Sequence, residues 1–339
     1  MNINKIIFGL MAMVVSSLNT ALATELNVYS HRQPFLIQPF LNAFTQTTGI
    51  KTNVLYSSKG LAQRLRSEGK NSPADVVLTV DIGRLYIYRD LGLLAEVKSD
   101  KMLENVPSHM RAADNTWFAL SKRSRIIVTA KDRVKQNEIK TIEDLADPKW
   151  KGRICSRPGS HVYNRALMAS VIAHHGAERA EEWAVGLVNN FARRPQGNDR
   201  AQVKAIYEGV CDVGIINNYY YGKLKFSDDE NQRAWAKAMN LTFPNQGTTE
   251  RGAHVNISGG GVALHSKNKA SAVALLEFLS DPASQQLYGE INFEYPVNPK
   301  VRPTEELKSW GQFKEDQLPI QRIAELSRQA QMMIDRVGW

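Results

Sequence analysis

From Glu25 onward the chain alternates short β-prone runs with amphipathic helical runs, and that alternation constrains its fold more than any other feature. ELNVYS reads as a strand, PFLIQPFLNAFTQTTG as a helix closed by Gly49, IKTNVLYS as a strand, KGLAQRLRSEGK as a helix, ADVVLTV as a buried strand and IGRLYIYRDLGLL as a helix. A second series starts near Arg125: RIIVTA as a strand, TIEDLADPKWKG as a helix and turn, RICSR as a strand, then three helical runs and CDVGIIN as a strand. HVNISGGGVALH brings back a strand, in which Ser258 to Gly261 reads as a flexible turn, and helices follow over KASAVALLEFLSD and beyond Leu318. This order predicts an α/β fold with largely parallel sheets, whose ligands bind beyond the carboxyl ends of the strands.

Ahead of this pattern, Lys5 precedes an apolar run from Ile6 to Val15 and a small-residue stretch ending Ala21-Leu22-Ala23. That is the signature of a secretory leader, 1–23, cleaved after Ala23. The apolar run falls short of the ~20 residues a membrane span needs, so export is expected rather than anchoring. Loss of the leader removes Lys5 and takes the formal charge from +9 to +8. The remaining chain exceeds the usual size of one core, so two lobes are expected. One would hold 24–124 and 254–300, the other 125–253, with 301–339 as a helical C-terminal segment. The chain would cross between lobes near 123–125 and near 243–254, where FPNQGTTERGAH is rich in turn residues.

Lysines and arginines are interspersed with acids in no long run, which argues against nucleic acid or a membrane surface as partner and leaves an anionic ligand open. The two cysteines, Cys155 and Cys211, predict a disulfide in an oxidising compartment, with two buried thiols as the alternative. They have no C-x-x-C spacing, so neither a zinc ribbon nor a thioredoxin-like site is supported.

The stretch NNYYYGKL, 217–224, holds the most informative chemistry. If CDVGII is a strand and YYYGKL opens a helix, Asn217 and Asn218 fall in the cap region, where Asn side chains satisfy free backbone N–H groups. The phenols then stand at a strand's carboxyl end. Neighbours on a helix diverge by ~100°, so at most two converge on one ligand and the third points elsewhere. A free phenol, with a pKa near ~10, is a poor anion. A trivalent hard cation reverses that balance, so adjacent tyrosines favour Fe(III) over softer metals. Against this stands a plainer reading, in which all three are amphipathic aromatics at an element end.

NNYYYG together with SHVYNRAL resembles the bacterial periplasmic ferric-ion-binding proteins that serve ABC-type iron importers. VYSHRQPFLIQPF, SPADVVLTVDIGRL, KWKGRICSRPGSHVYN, RRPQGNDRAQVKAIYEGVCD and FEYPVNP extend the likeness over essentially the whole chain after the leader. The resemblance implies a bilobed type II periplasmic-binding-protein fold with a central cleft and hinge crossovers. It also implies Fe(III) held by Tyr163, Tyr219 and Tyr220, a permease partner in the inner membrane, and a monomer. Some relatives carry His and Tyr ligands in an R-H-Y loop; here Arg32 is followed by Gln33 and Pro34, so those two ligands are missing. The R-Q-P form resembles members that complete coordination with a small synergistic anion such as carbonate. Arg32 and Arg123 would face that anion and Gln33 would donate to it, because a planar guanidinium matches a planar oxyanion. His31, beside Arg32, is a candidate further ligand, but a hydrogen-bonding or exposed His is the favoured reading, since imidazole suits softer metals. His174 and His175 read as helix residues, and Glu294 and Tyr295 as structure at the cleft rim.

Two other functions compete. A carrier of phosphate, a phosphonate or a carboxylate would use Arg32, Arg123 and helix N-termini with no metal. A secreted enzyme is disfavoured, because the chain has no G-x-S-x-G, H-E-x-x-H or P-loop motif.

Overall fold

The computed structural model describes residues 24–311 and 313–339; the expected leader, 1–23, lies outside the described residues. Among the described residues nine strands form the framework: β1 (Glu25–Ser30), β2 (Lys51–Tyr56), β3 (Val76–Thr79), β4 (Leu94–Ala95), β5 (Phe118–Ala130), β6 (Ile154–Cys155), β7 (Val213–Asn217), β8 (Met239–Thr242) and β9 (Val255–Ala263). Their order is β2-β1-β3-β9-β5-β7-β6, with β4 on β9 and β8 on β5.

β5 carries the chain from one lobe to the other. Its first half pairs with β9 as far as Ser124–Val255, and from Arg125 onward it pairs with β7 and β8 instead. Ser124 donates its hydroxyl, and Arg125 its backbone N–H, to the carbonyl of His254, where the second crossing joins β9. The expected sheet is largely parallel, and the observed one is mixed. β1, β2, β3 and the β6–β7 pair are parallel, whereas β9 and β5 run antiparallel to their neighbours. The crossing strands enter each half from the opposite end, and this sets their direction.

β9 also corrects the expected turn at Ser258–Gly261, which lies wholly within the strand. A Cβ on Gly259 would stand 2.6 Å from the Phe118 carbonyl, so the missing side chains let β5 approach rather than letting the chain bend. TIEDLADPKWKG forms only two 3₁₀ turns, Glu143–Ala146 and Pro148–Trp150, because Pro148 interrupts any longer helix. RICSR keeps two strand residues.

In the helix Pro34–Thr48, Ile37, Phe40, Leu41 and Phe44 recur at helical spacing and are all buried. Gly49 closes it in the left-handed conformation. The helical span Val162–Asn189 breaks at Gly176, where the sequence separates two helices. Helix Ser327–Val337 packs on that span, and Trp339 bonds through Nε1 to the Ser156 hydroxyl at 2.9 Å. The C-terminal segment thereby braces the loop that leads to Tyr163. Cys155 and Cys211 form a buried disulfide, closing β6 onto the turn before β7.

Candidate metal centre

β7 ends at Asn217 and the helix Asn218–Lys225 begins at once, which sets Tyr219 and Tyr220 in its first turn at the carboxyl end of a strand. The asparagines do not cap this helix as expected, since Asn217, at the cap position, makes no side-chain capping bond. They are used in the site's frame instead. Asn217 donates to the Tyr219 hydroxyl at 3.3 Å and accepts from Arg125 at 3.1 Å. Asn218 accepts from the Ser124 backbone at 2.8 Å and donates to the Phe293 carbonyl at 2.9 Å, tying the tyrosine turn to the lobe crossing. Gly222 completes the fit, because a Cβ there would overlap the Phe293 ring.

Tyr163 comes from the start of the span Val162–Asn189, where the His161 side chain accepts the Tyr163 N–H at 3.3 Å. The Tyr219 hydroxyl donates to the Tyr163 hydroxyl at 3.0 Å, and the rings of Tyr219 and Tyr220 lie 4.4 Å apart. Tyr221 turns away and meets Trp310 edge to face at 5.6 Å. The structure thus brings Tyr163, Tyr219 and Tyr220 to one cavity of about 420 Å³, and Tyr221 is not in its lining.

Gln33 also lines this cavity, as does His31. The His31 ring is already committed: Nδ1 donates to the Ser57 carbonyl at 2.7 Å, so Nε2 accepts from the Tyr88 hydroxyl at 2.9 Å. Burial lowers its pKa to about 4 and keeps the ring neutral. Arg32 and Arg123 stand behind the lining. Arg32 is buried and bonds to Glu294 at 2.6 Å and to the Ser258 hydroxyl at 2.7 Å, because a buried guanidinium requires a counter-charge. Arg123 lies 5.4 Å from the centre of the Tyr163 ring, donates to the Val80 carbonyl and leaves Nη1 without a partner. His174 and His175 bind Asp316 and Glu143, away from the cavity.

Several contributors escaped the sequence reading. Asp199 is fully buried and accepts from Arg125 at 2.7 Å, from Arg157 at 2.8 Å and from the Asn217 N–H at 2.8 Å. Despite the cost of burial, these partners hold its pKa below the usual carboxylate range. Arg157 reaches from this carboxylate to the cavity and sits 5.1 Å from the centre of the Tyr163 ring. Arg84, Arg200 and Lys223 add positive charge to the lining. The one local clue was N-D-R at the start of helix Asp199–Tyr207, since an Asp buried at a helix start implies a cationic partner.

Burial raises the pKa of Tyr219 well above the ordinary phenol value, and the neighbouring phenols of Tyr163 and Tyr220 raise it further. Burial does the same to Tyr220. With no cation present these hydroxyls keep their protons; a hard trivalent ion among them would displace those protons and be neutralised by three phenolates. Among the described residues, no group of three or more His, Cys, Asp or Glu could hold a metal, so phenol oxygen is the donor chemistry available.

Residues 40–315 match the family of bacterial extracellular solute-binding proteins. The chain is 41% identical to iron uptake protein A1 of Synechocystis over 93% of its length and 87% of that protein's. It superposes with a TM-score of 0.86 on the ferric iron-binding protein A of Mannheimia haemolytica in an open conformation, at 46% identity over 93% of this chain and 98% of the other. A Trichodesmium protein in complex with iron and citrate gives a TM-score of 0.88 at 43% identity, covering 93% of this chain and 99% of that one. The two-lobed α/β architecture is accordingly that of the type II periplasmic binding proteins, and the chain belongs to the bacterial extracellular solute-binding protein family, among members named for iron uptake and ferric iron binding.

Proposed function

We propose that this protein captures Fe(III) in the periplasm through the phenolates of Tyr163, Tyr219 and Tyr220. A synergistic anion such as carbonate completes the coordination, and the ion is handed to an ABC-type importer in the inner membrane. The observation that carries this reading is the 3.0 Å approach of the Tyr163 and Tyr219 hydroxyls, with Tyr220 beside them, in a cleft between lobes. Relatives named for ferric iron binding and iron uptake support it. The leader supports export, and the protein acts as a monomeric carrier rather than an enzyme. Gln33, in the lining, serves the anion, with Arg32 and Arg123 contributing positive field from behind it.

Arg84, Arg157, Arg200 and Lys223 around the cavity favour a second reading, a carrier of a small anion with no metal. Titrating the metal-free protein with Fe(III) in bicarbonate separates the two. A visible phenolate-to-iron charge-transfer band is expected; calorimetric anion binding without that colour would select the metal-free carrier.

A further inference from the structure

Tyr219 and Tyr220 ride on a helix that opens directly from β7, but Tyr163 is presented differently. Residues 156–161, between the two-residue strand β6 and the span Val162–Asn189, form no helix or strand of their own. Such a segment keeps one shape only through the groups packed against it. Here those groups come from far along the chain. Trp339 is 7% exposed and meets the segment twice: its Nε1–H donates to the Ser156 hydroxyl at 2.9 Å, and its carbonyl accepts the Gly159 N–H at 3.2 Å. Gly159 permits this approach, since a Cβ there would stand 2.7 Å from Trp339 Cγ. The indole also meets Trp183 edge to face at 5.9 Å and Phe191 at 6.5 Å.

These contacts lead to the tyrosine cavity in two steps. The Ser156 hydroxyl that accepts from Trp339 donates in turn to the Arg157 carbonyl at 2.8 Å, and the Asn164 amide donates to the same carbonyl at 3.1 Å. The Arg157 guanidinium, bound to Asp199, then lies 5.1 Å from the centre of the Tyr163 ring. Arg165 donates to Gln331 at 3.1 Å, a second tie between the start of this helical span and the helix Ser327–Val337. Burial of an indole does not by itself bring such a bond in this fold, because Trp117 and Trp150 are buried with Nε1 bonded to no other residue.

Resting on the Fe(III) reading, we infer that Trp339 is a positioning residue for the metal centre. Through Ser156 and Gly159 it fixes the 156–161 loop, and with it the placement of Tyr163 and Arg157 relative to Tyr219 and Tyr220. A ligand contributes fully only at a narrow range of distance and angle from its metal, so a loop that drifts lowers affinity even when all three phenols are present.

The test compares wild type with Trp339→Ala, Trp339→Phe and Leu275→Ala. Leu275 is buried in the helix Lys269–Ser280, which packs on β9 rather than on the loop, and its truncation supplies a loss of stability unconnected with Tyr163. Two properties are measured: the ferric charge-transfer band in bicarbonate during competition with an external chelator, and hydrogen exchange of segments 156–163 and 218–225 in the metal-free protein. Trp339→Ala should speed exchange in 156–163 by about tenfold or more and leave 218–225 within about twofold of wild type. It should also shift the band and weaken retention by about tenfold or more, the usual scale for a residue that orients a metal ligand. Trp339→Phe keeps a ring against Gly159 and loses the Nε1 bond, so it should recover part of both losses, and it carries the comparison where Trp339→Ala does not fold. Leu275→Ala should keep the wild-type band and retention. Exchange in 156–163 that is unchanged, or that rises equally in both segments, overturns the bracing. A Trp339→Ala band and retention equal to those of wild type, or losses matched by Leu275→Ala at the same urea midpoint, overturn the positioning role and leave the Fe(III) reading standing. A wild-type protein that gives no ferric band in bicarbonate overturns that reading and the metal-positioning role with it, whereas the exchange result still decides the bracing.

Discussion

Tyr219 donates its hydroxyl to that of Tyr163 across 3.0 Å, joining the helix that follows β7 to the start of the span Val162–Asn189. Tyr219, the donor, carries its proton in this arrangement, and burial holds that proton in place. Two phenolates at that distance would repel, and only a cation placed between them lets both protons leave. Tyr220, its ring tilted by 38° against that of Tyr219, lines the same cavity, and in the proposed site it would bring the third oxygen.

The tyrosine run therefore contains its own control. Replacing Tyr163, Tyr219 or Tyr220 by Phe should abolish the ferric charge-transfer band or weaken retention against a chelator severely, because each change removes a charge and a ligand. Tyr221→Phe should keep the band and lose at most about 1 kcal/mol of stability, since its ring packs on Trp310 outside the cavity. Indistinguishable spectra from all four variants would return the run to a packing role.

Asp199→Asn should be far more disruptive than its distance from solvent-borne ligand suggests. The substitution leaves Arg125 and Arg157 without their shared carboxylate in a buried setting, at a cost of about 3–5 kcal/mol. Urea unfolding checks the loss. The ferric band of the folded fraction should shift as well, because Arg157 sits over the Tyr163 ring; an unchanged midpoint would mean the network contributes no net stability.

The disulfide closes a 56-residue separation between Cys155 and Cys211, so its loss should cost about 4 kcal/mol by the chain-entropy relation. Thiol titration of the unfolded, unreduced protein should find no free thiol. A Cys155→Ala/Cys211→Ala variant should then unfold at clearly lower urea while keeping its ferric colour, since the bond lies behind the site rather than in it.

His254 should make the fold sensitive to acid. Its ring is buried with neither nitrogen bonded, and burial lowers its pKa to about 3, with Arg125, Arg123, Arg251 and His174 adding to the effect. The folded protein therefore favours the neutral ring. The contribution is fully present above the unfolded-state value of about 6.5 and is lost as pH falls from there toward about 3. Between about pH 7 and pH 4 wild type should lose on the order of a few kcal/mol more than His254→Asn, measured by urea midpoints. Parallel curves for the two proteins would remove His254 as the cause.

The helices and strands of the first lobe were legible because each carries a local signal: apolar residues at helical spacing from Ile37 to Phe44, Gly49 at a helix end, a continuous apolar run in β3. The glycines of β9 were misread for the same reason. In isolation they signal a turn, and only the backbone of β5 pressing against them explains their place in a strand.

Residue chemistry alone determined the α/β class, the paired cysteines and the tyrosine run, since hydrophobic period, compartment and phenol acidity are properties of short stretches. Resemblance across several segments added the fold family and the facing Tyr163. Tertiary structure decided what depends on distant partners. It committed Arg32 to Glu294, drew Asn217 and Asn218 out of capping into the frame around Tyr219, and put Asp199 between two arginines. A buried charge takes whichever counter-charge folding brings within reach, and those partners, up to 262 residues apart along the chain, are set by packing rather than by any local pattern.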